Sequence, residues 1–302
     1  MRSPGLLDRA SLSAGRLQYE ALIRLSERLA GFRREATTLE GVHVPYLVGG
    51  SGPVLMLVHG FGADKESWLL MARHLAKKRM VVVPDLPGYG AAGTIPKERA
   101  SAKRQAAIVA ALLDHLGRRY VHLVGNSMGG GISLRFAADY PDRAKTMTLV
   151  CSVGPVVDKS EVFLAIDRGE SPLVLRDETR MDEFMALVAE KWPPSTTSIR
   201  RYRAHVQVAR ADHLDAMFEG WHRPSPAEDY PKDLGALRVP ALVIHGAKDR
   251  VIDVSTGRAL AAGLSPSKLE VLEGIGHLPQ MEAPRRTARL VDAFVDAYDK
   301  GP

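Results

Sequence analysis

The chain has 302 residues, of which 45% are hydrophobic, and its formal net charge is +6. A chain of this length can bury a large core, and one α/β domain with an insertion explains it better than two independent domains. The basic residues are dispersed among acids without interleaved aromatics, which argues against nucleic-acid binding. Neither a signal peptide nor an apolar run long enough to span a membrane is apparent, so we expect a cytoplasmic location.

The N-terminal 35 residues carry half of the net charge, since they hold seven arginines and four acids. Apolar side chains recur at three- and four-residue steps from Leu17 to Phe32, which predicts an amphipathic helix over residues 16–34 with a basic outer face. Such a helix either packs on its own domain with its arginines in solvent or contacts anionic lipid. We therefore separate residues 1–35 as an N-terminal helical segment and keep peripheral membrane contact as an alternative.

Apolar strands alternate with amphipathic helices along the rest of the chain. Strands are predicted at residues 36–48, 54–58, 80–84, 120–124, 145–151, 240–245 and 268–273. Helices are predicted at residues 66–77, 98–117, 128–139, 254–263 and 283–299. This alternation predicts an α/β fold with a mostly parallel central sheet and helices on both faces, whose ligands bind beyond the carboxyl ends of the strands.

A glycine-rich loop at residues 59–64 follows the predicted strand 54–58. When a nucleophile attacks a carbonyl, negative charge collects on the oxygen, and backbone N–H groups aimed at that oxygen stabilise it. Gly60 and Gly62 permit close approach, so we predict that the N–H of Phe61 is one such donor. The loop matches neither of the phosphate-binding glycine patterns, which argues against a nucleotide site.

The pattern G-x-S-x-G at residues 125–129 stands between the predicted strand 120–124 and the predicted helix 128–139. A strand that turns sharply into a helix forces its corner residue into strained geometry and exposes that side chain at the end of the sheet. We predict Ser127 as a nucleophile and the backbone N–H of Met128 as the second oxyanion donor.

The alternation of strands and helices breaks over residues 155–234, which hold two of the three tryptophans. This stretch enters after one strand and leaves before the next, so we predict a mainly helical lid inserted into a core of residues 36–154 and 235–302. Its apolar side chains either line an acyl-chain tunnel or form the lid's own core. The candidates for substrate contact are Phe163, Phe184, Met185, Trp192, Met217, Phe218 and Trp221.

A carboxylate and an imidazole follow the last two predicted strands. Asp249 comes just after strand 240–245, and His277 lies on a glycine-flanked loop after strand 268–273. An imidazole can take the proton of a serine hydroxyl, and a carboxylate behind it fixes the tautomer. Asp253 is the rival carboxylate, although it fits the start of the next helix equally well. We predict that Ser127, Asp249 and His277 act together.

The single cysteine, Cys151, ends the predicted strand 145–151, where a buried structural thiol is expected. The histidines are scattered without metal-ligand spacing, so we expect no metal. Acyl transfer by a serine, a histidine and a carboxylate also requires no cofactor.

Four of these segments resemble the α/β-hydrolase superfamily, whose chain order of serine, acid and histidine this sequence also follows. The resemblance is carried by residues 59–65, 84–90, 125–130 and 245–249. Residues 62–65 beside Trp68, together with residues 125–128, resemble bacterial lipases and esterases related to the monoacylglycerol lipases. The resemblance covers residues 40–155 and 235–300, whereas residues 155–234 carry no motif that aligns.

The resemblance implies a serine hydrolase that cleaves lipophilic or monoacylglycerol-like carboxylic esters through an acyl-enzyme. A carbon–carbon bond hydrolase of the ring-cleavage type is one alternative, although those enzymes typically place a tryptophan after the histidine, where this chain has Leu278. A cofactor-free haloperoxidase would keep the same three residues. A ligand-binding sensor on a hydrolase scaffold is a further alternative, which the intact triad argues against. The sequence does not indicate the oligomeric state.

Overall fold

A computed structural model of the chain describes residues 6–97, 100–222, 231 and 233–299. Within them the strands are β1 (Phe32–Leu39), β2 (Val42–Gly49), β3 (Val54–Val58), β4 (Met80–Pro84), β5 (Val121–Asn126), β6 (Ala144–Val150), β7 (Ala241–Gly246) and β8 (Ser267–Leu272). They form one sheet in the order β1-β2-β4-β3-β5-β6-β7-β8. The pairs β1–β2 and β2–β4 are antiparallel, and the remaining pairs are parallel.

Helices cover both faces of this sheet, as the sequence predicts. In the described residues they are α1 (Leu6–Ala30), α2 (Leu69–Leu75), α3 (Ala102–His115), α4 (Met128–Asp139), α5 (Glu161–Asp167), α6 (Met181–Val188), α7 (Thr197–Ala209), α8 (Ala211–His222), α9 (Val254–Gly263), α10 (Pro279–Glu282) and α11 (Pro284–Asp299). None of the helices in this part of the chain is long and apolar enough to cross a bilayer.

Strand β3 illustrates how the core forms. All of its residues are buried, and the alternation of a strand sends Leu55 and Met56 to opposite faces of the sheet. Leu55 belongs to an apolar cluster with α2 and α11, whereas Met56 belongs to a cluster with α3 and α4. Parallel strands covered on both faces are continuously apolar, which is why the sequence pattern could locate the parallel strands.

Two predictions near the N-terminus were wrong. The helix α1 ends at Ala30 and Phe32 begins β1, so the proposed helical segment of residues 1–35 finishes in a strand. Residues 36–48, predicted as one strand, belong to the hairpin β1–β2. Its two-residue turn has positive φ at Glu40 (48°) and Gly41 (76°), as a type I′ turn requires. Glutamate is not a typical residue for that position, so the turn was missed.

The face of α1 that packs on the protein is not the predicted one. Leu17, Leu25 and Leu29 are 68%, 55% and 78% exposed. Gly15 is buried instead. It lies so close to α7 that a Cβ on it would be 2.1 Å from the carbonyl oxygen of Ser198. The absence of a side chain at Gly15 lets the two helices approach closely. The leucine stripe of α1 therefore faces solvent.

The chain between β6 and β7 forms the helices α5 to α8. We call residues 155–234 the lid segment; its residues 223–230 and 232 lie outside the described part of the chain. Residues 98 and 99 of the predicted helix 98–117 also lie outside it, and α3 begins at Ala102. The loops that follow β3, β5, β7 and β8 all leave the carboxyl ends of parallel strands, where ligands of such sheets bind.

Candidate active site

Ser127 occupies the corner between β5 and α4. Its backbone has φ 55° and ψ −118°, a strained conformation of the kind that clusters at functional sites. The flanking glycines allow the corner to close, since a Cβ on Gly125 would lie 2.1 Å from the carbonyl oxygen of Gly129, and one on Gly129 would lie 2.1 Å from that of Val58. The structure thus has at Ser127 the strained corner that the sequence predicts.

Asp249 and His277 form a direct buried pair. Asp249 Oδ2 lies 2.8 Å from Nδ1 of His277, while Asp249 Oδ1 accepts the backbone N–H groups of Val251 (2.8 Å) and Ile252 (2.9 Å). Burial alone would raise the pKa of Asp249, but the imidazoles of His277 and His245 and their hydrogen bonds to the carboxylate hold that pKa well below its usual range. Asp249 is therefore an ionised acceptor that keeps the hydrogen of His277 on Nδ1.

His245 is a second imidazole against Asp249, and sequence reasoning missed it. Its Nε2 lies 3.3 Å from Asp249 Oδ2 and 3.0 Å from the carbonyl oxygen of Ile252. A carbonyl oxygen can only accept, so Nε2 carries the hydrogen and also faces the carboxylate. His245 therefore supports the ionised form of Asp249 at the same oxygen, Oδ2, that His277 contacts.

Asn126 connects the Ser127 corner to the loop that carries His277. Its side-chain Nδ2 donates to the carbonyl oxygen of His277 at 3.1 Å and to that of Val150 at 3.0 Å. Because Asn126 directly precedes Ser127, these bonds hold the His277 loop beside the corner across 151 positions of sequence. The sequence motif contains Asn126 but gave no reason to assign it this role.

Glu282 in α10 fixes the same loop from its other side. Its carboxylate accepts the backbone N–H groups of Gly276 and Leu278, each at 3.0 Å, on the two sides of His277. The same carboxylate accepts the N–H of Glu190 in the lid segment at 3.0 Å. The bonds to Gly276 and Leu278 lie within an irregular turn, and the bond to Glu190 spans 92 positions, so no sequence pattern identified Glu282.

Asp253, the alternative carboxylate to Asp249, caps a helix. It is the N-cap of α9, and its Oδ1 accepts the N–H of Ser255 at 2.8 Å. An aspartate commonly takes this role, because a helix start leaves its first N–H groups without partners. The structure therefore pairs His277 with Asp249 and leaves Asp253 at the helix end.

The loop at residues 59–64, which we call the oxyanion loop, lies against Ser127. A Cβ on Gly60 would lie 3.1 Å from Cβ of Ser127. His59 fixes the start of the loop, because its Nε2 accepts the N–H of Leu86 at 3.0 Å and its Nδ1 donates to the carbonyl oxygen of Gly60 at 2.8 Å. Met128 begins α4, so its N–H has no partner within that helix.

The end of the oxyanion loop is anchored by a buried ion pair. Lys65 Nζ lies 2.6 Å from Asp85 Oδ2, and the backbone N–H of Lys65 donates to Asp85 Oδ1 at 2.8 Å. The N–H of Ala91 donates to the same carboxylate at 2.8 Å. Beside this pair, burial and the charge of Asp64 raise the pKa of Glu66 to about 7. The resemblance included both Lys65 and Asp85, but their pairing was not predicted.

The predicted substrate-contact residues fall into two groups. Phe163, Phe184 and Trp192 pack in one apolar cluster with Leu278, the neighbour of His277. Within it, Trp192 Nε1 donates to the carbonyl oxygen of Met185 at 2.8 Å.

The second group packs on the apolar cluster that contains Met56 and the helices α3 and α4. Met217 and Trp221 belong there, and the ring of Phe218 lies 5.4 Å from that of Phe61. Met217 is fully buried, with its methyl group at the Gly88 turn. The structure therefore does not bring the seven residues together into one wall, although members of each group adjoin the site.

Cys151 lies directly behind Asp249 and His277. Ligand-type atoms of the three residues are all within 4.8 Å of one another, a cluster that the sequence spacing did not reveal. The thiol accepts the N–H of Gly246 at 3.4 Å, and burial raises the pKa of Cys151 well above its usual value. A neutral buried thiol is a poor metal ligand and a poor nucleophile, so Cys151 fits the structural role expected for it.

Known proteins resemble this chain over most of its length. A family model described as the α/β-hydrolase fold matches residues 53–196. Monoacylglycerol lipase ABHD6 of Mus musculus is 28% identical over 256 residues, which cover 82% of this chain and 76% of that protein. A 2-hydroxy-6-oxo-2,4-heptadienoate hydrolase of Pseudomonas putida is 30% identical over 260 residues, which cover 83% of this chain and 91% of that protein.

A solved structure of a membrane phospholipase A, described as a bacterial virulence factor, superposes with a TM-score of 0.89. It is 32% identical, and the match covers 95% of this chain and 93% of that chain. Because this structural match covers 95% of the chain, it includes most of the lid segment, where sequence motifs could not be aligned. The chain belongs to the α/β-hydrolase family and is similar to its lipases and esterases.

Proposed function

We propose that this carboxylic ester hydrolase acts as a serine hydrolase on lipophilic esters, through an acyl-enzyme intermediate. The observation that carries the proposal is the 2.8 Å contact between Asp249 and His277 Nδ1 at the end of the sheet that also bears the Ser127 corner. With its hydrogen on Nδ1, the imidazole has Nε2 free to take a proton. An esterase needs this arrangement because a serine hydroxyl is a weak nucleophile without a base.

The reaction has two balanced steps. Ser127 Oγ attacks the ester carbonyl while His277 Nε2 takes the hydroxyl proton, and the N–H groups of Phe61 and Met128 stabilise the oxyanion. The intermediate collapses when the carbon–oxygen bond to the alcohol breaks and His277 returns the proton to that alcohol. Water then attacks the acyl-enzyme by the same route, which releases the acid and restores Ser127 and its proton.

The lipophilic substrate class is supported by the two apolar groups of the lid segment. Phe163, Phe184 and Trp192 pack with Leu278 beside the base, and Phe218 packs on Phe61 in the oxyanion loop. A substrate at Ser127 lies between these groups and can bury an acyl chain against one of them. The relatives named monoacylglycerol lipase agree with such a substrate.

A panel of p-nitrophenyl esters from acetate to palmitate, with monoacylglycerols alongside, tests this substrate class. Because each buried methylene contributes about 0.8 kcal/mol, we expect kcat/KM to rise by up to about two hundredfold from butyrate to octanoate. An activity that peaks at acetate would contradict the proposal of an acyl-chain site while leaving the esterase assignment intact.

Carbon–carbon bond hydrolysis is the second candidate, because the Pseudomonas putida relative is a 2-hydroxy-6-oxo-2,4-heptadienoate hydrolase and is 30% identical. A ring-cleavage dienoate belongs in the same panel for this reason. If kcat/KM for the dienoate exceeds that for every ester, the second candidate replaces the first. A fluorophosphonate that fails to label Ser127 would favour a ligand-binding sensor instead.

Contact with a membrane surface is a further part of the proposal, and α1 is the surface concerned. Its exposed Leu17, Leu25 and Leu29 stand beside Arg24 and Arg28, which help to line a surface depression at the end of the helix. Exposed leucines beside arginines suit a surface that sinks apolar groups below anionic headgroups. A membrane surface is also where the substrate of a lipid esterase lies.

Vesicle sedimentation measures this contact directly. We expect binding to phosphatidylcholine vesicles to increase when phosphatidylglycerol is included and to weaken with salt. Leu25→Ser with Leu29→Ser should lower partitioning by about tenfold or more, since each exposed leucine contributes about 1–2 kcal/mol when buried. Tyr120→Ser is the matched control, because Tyr120 is also exposed but directly precedes β5 and is not part of α1. Equal binding of the double variant and the parent would contradict membrane contact through α1.

A further inference from the structure

We propose that Arg203 and Gln207, one turn apart on α7, position the oxyanion loop for catalysis. Arg203 Nη1 donates to Asp64 Oδ2 at 3.1 Å, and Gln207 Nε2 donates to the carbonyl oxygen of Gly62 at 3.1 Å. Side chains four residues apart lie on the same face of a helix, so α7 holds the loop at two points. The inference rests on the proposed function, which places an oxyanion donor at Phe61.

The oxyanion loop needs external support because its own bonding is sparse. Gly62 has φ +67°, a conformation that leaves the peptides around it outside regular structure. Asp64 is the N-cap of the short helix Lys65–Trp68, yet its side chain makes no capping bond. An aspartate at this position usually caps the helix, but here its carboxylate is directed to Arg203.

Arg203 is itself held by the N-terminal helix. Its Nη1 also donates to the hydroxyl of Tyr19 at 2.8 Å, and its guanidinium carbon lies 5.0 Å from the centroid of the Tyr19 ring. The close crossing of α1 and α7 at Gly15 fixes the two helices against each other. Burial opposes ionisation of Asp64, but the charge of Arg203 and its hydrogen bond lower the pKa of Asp64. The pair is therefore charged, and α1 acts on the loop through Arg203.

These contacts matter for the chemistry because an oxyanion donor acts on the transition state. Removing one donor costs about a hundredfold to a thousandfold in kcat, so a donor that is displaced but not removed should cost less. A loop that has lost its hydrogen bond to Arg203 or to Gln207 would bind the ester substrate as before and stabilise the oxyanion less well. Such a loss lowers kcat and leaves KM nearly unchanged.

The variants Gln207→Ala and Arg203→Ala test the proposal with p-nitrophenyl octanoate as the substrate. We expect kcat to fall by about tenfold in each, with KM changed by less than about twofold. Arg203→Lys should recover part of the loss, because lysine keeps the charge that faces Asp64 but not the planar guanidinium that lies over the Tyr19 ring. Arg200→Ala is the matched control, since Arg200 lies on the same helix and bonds Ser195 at 2.9 Å, away from the loop.

The affinity for an alkyl boronic acid distinguishes a positioning role from a purely structural one. Such an acid forms a tetrahedral adduct with the serine, so its affinity should fall in proportion to kcat in the two alanine variants and stay at the parent value in Arg200→Ala. Unchanged boronate affinity in both variants, or a rise in KM with kcat unchanged, would overturn the positioning role. If Arg203→Ala does not fold, Gln207→Ala and Arg203→Lys decide the question by the same criteria. A parent protein that binds no boronate and cleaves no ester would instead overturn the proposed function.

Discussion

Replacing Ser127 with alanine is expected to lower kcat for p-nitrophenyl octanoate by about a millionfold, the loss found when the nucleophile of a serine hydrolase triad is removed. Without Oγ no acyl-enzyme can form, so His277 and the oxyanion donors have no attacking group to assist. KM should change little, because the apolar groups of the lid segment that we propose to bind the acyl chain remain. Steady-state kinetics on purified protein, supported by loss of fluorophosphonate labelling, measures both effects.

The fold should survive this change. Ser127 makes its backbone bond to the carbonyl oxygen of Val150 through its N–H, and alanine keeps that group. Ser133→Ala is the matched control, because Ser133 is a buried serine on α4 whose hydroxyl bonds the carbonyl oxygen of Gly129 at 2.8 Å. If Ser127→Ala retains more than about a thousandth of the parent rate, which is far above the remaining activity we expect, the nucleophile is a different residue.

The sequence predicted the parts of the site that depend on local geometry. A strained corner with small neighbours has a fixed pattern, so Ser127 and its flanking glycines could be identified from a few residues. The strand before Asp249 and the strand before His277 were equally clear, because buried parallel strands are continuously apolar. Given a parallel sheet, the carboxyl ends of its strands lie on one edge, and the approach of these residues follows.

Contacts between distant segments could not be predicted in the same way. Asn126 bonds His277 across 151 positions of sequence, and Glu282 bonds Glu190 across 92. The contacts of Glu282 with Gly276 and of His245 with Asp249 span only six and four positions, but they cross loops whose geometry no local pattern gives. No periodicity or spacing records such a bond. The sequence favoured Asp249 over Asp253, although both positions follow the same strand. The structure adds the hydrogen-bond partners that distinguish them, His277 for Asp249 and the N–H of Ser255 for Asp253.

The N-terminal helix shows a different limit of sequence patterns. The spacing of Leu17, Leu25 and Leu29 correctly indicated a helix with an apolar stripe, but a stripe does not reveal what covers it. The packing of α1 on α7 depends on Gly15 and Tyr19 instead. A glycine gives no hydrophobic signal, so the buried face was predicted wrongly and the exposed leucines became visible only in the structure.

The second large effect is expected for Asp249→Asn, which should lower kcat by about ten-thousandfold. An asparagine cannot serve as the charged acceptor for His277 Nδ1, so the imidazole loses both its fixed tautomer and the stabilisation of its protonated form. Asp253→Asn is the matched control, because asparagine also caps a helix well, and its activity should stay within about twofold of the parent. A large loss in Asp253→Asn with activity retained in Asp249→Asn would reverse the assignment.

Stability should depend on pH in a way that identifies the same carboxylate. The pKa of Asp249 is depressed in the folded protein, so its charge contributes stability that is fully present above the unfolded pKa of about 3.9. That contribution is lost as pH falls below this value toward the folded pKa. The parent should therefore unfold at a higher denaturant concentration than Asp249→Asn at pH 7, and the difference should shrink below about pH 4. A difference that stays constant down to the acid transition would mean that the carboxylate is not held ionised by His277 and His245, and the tautomer argument for catalysis would lose its physical basis.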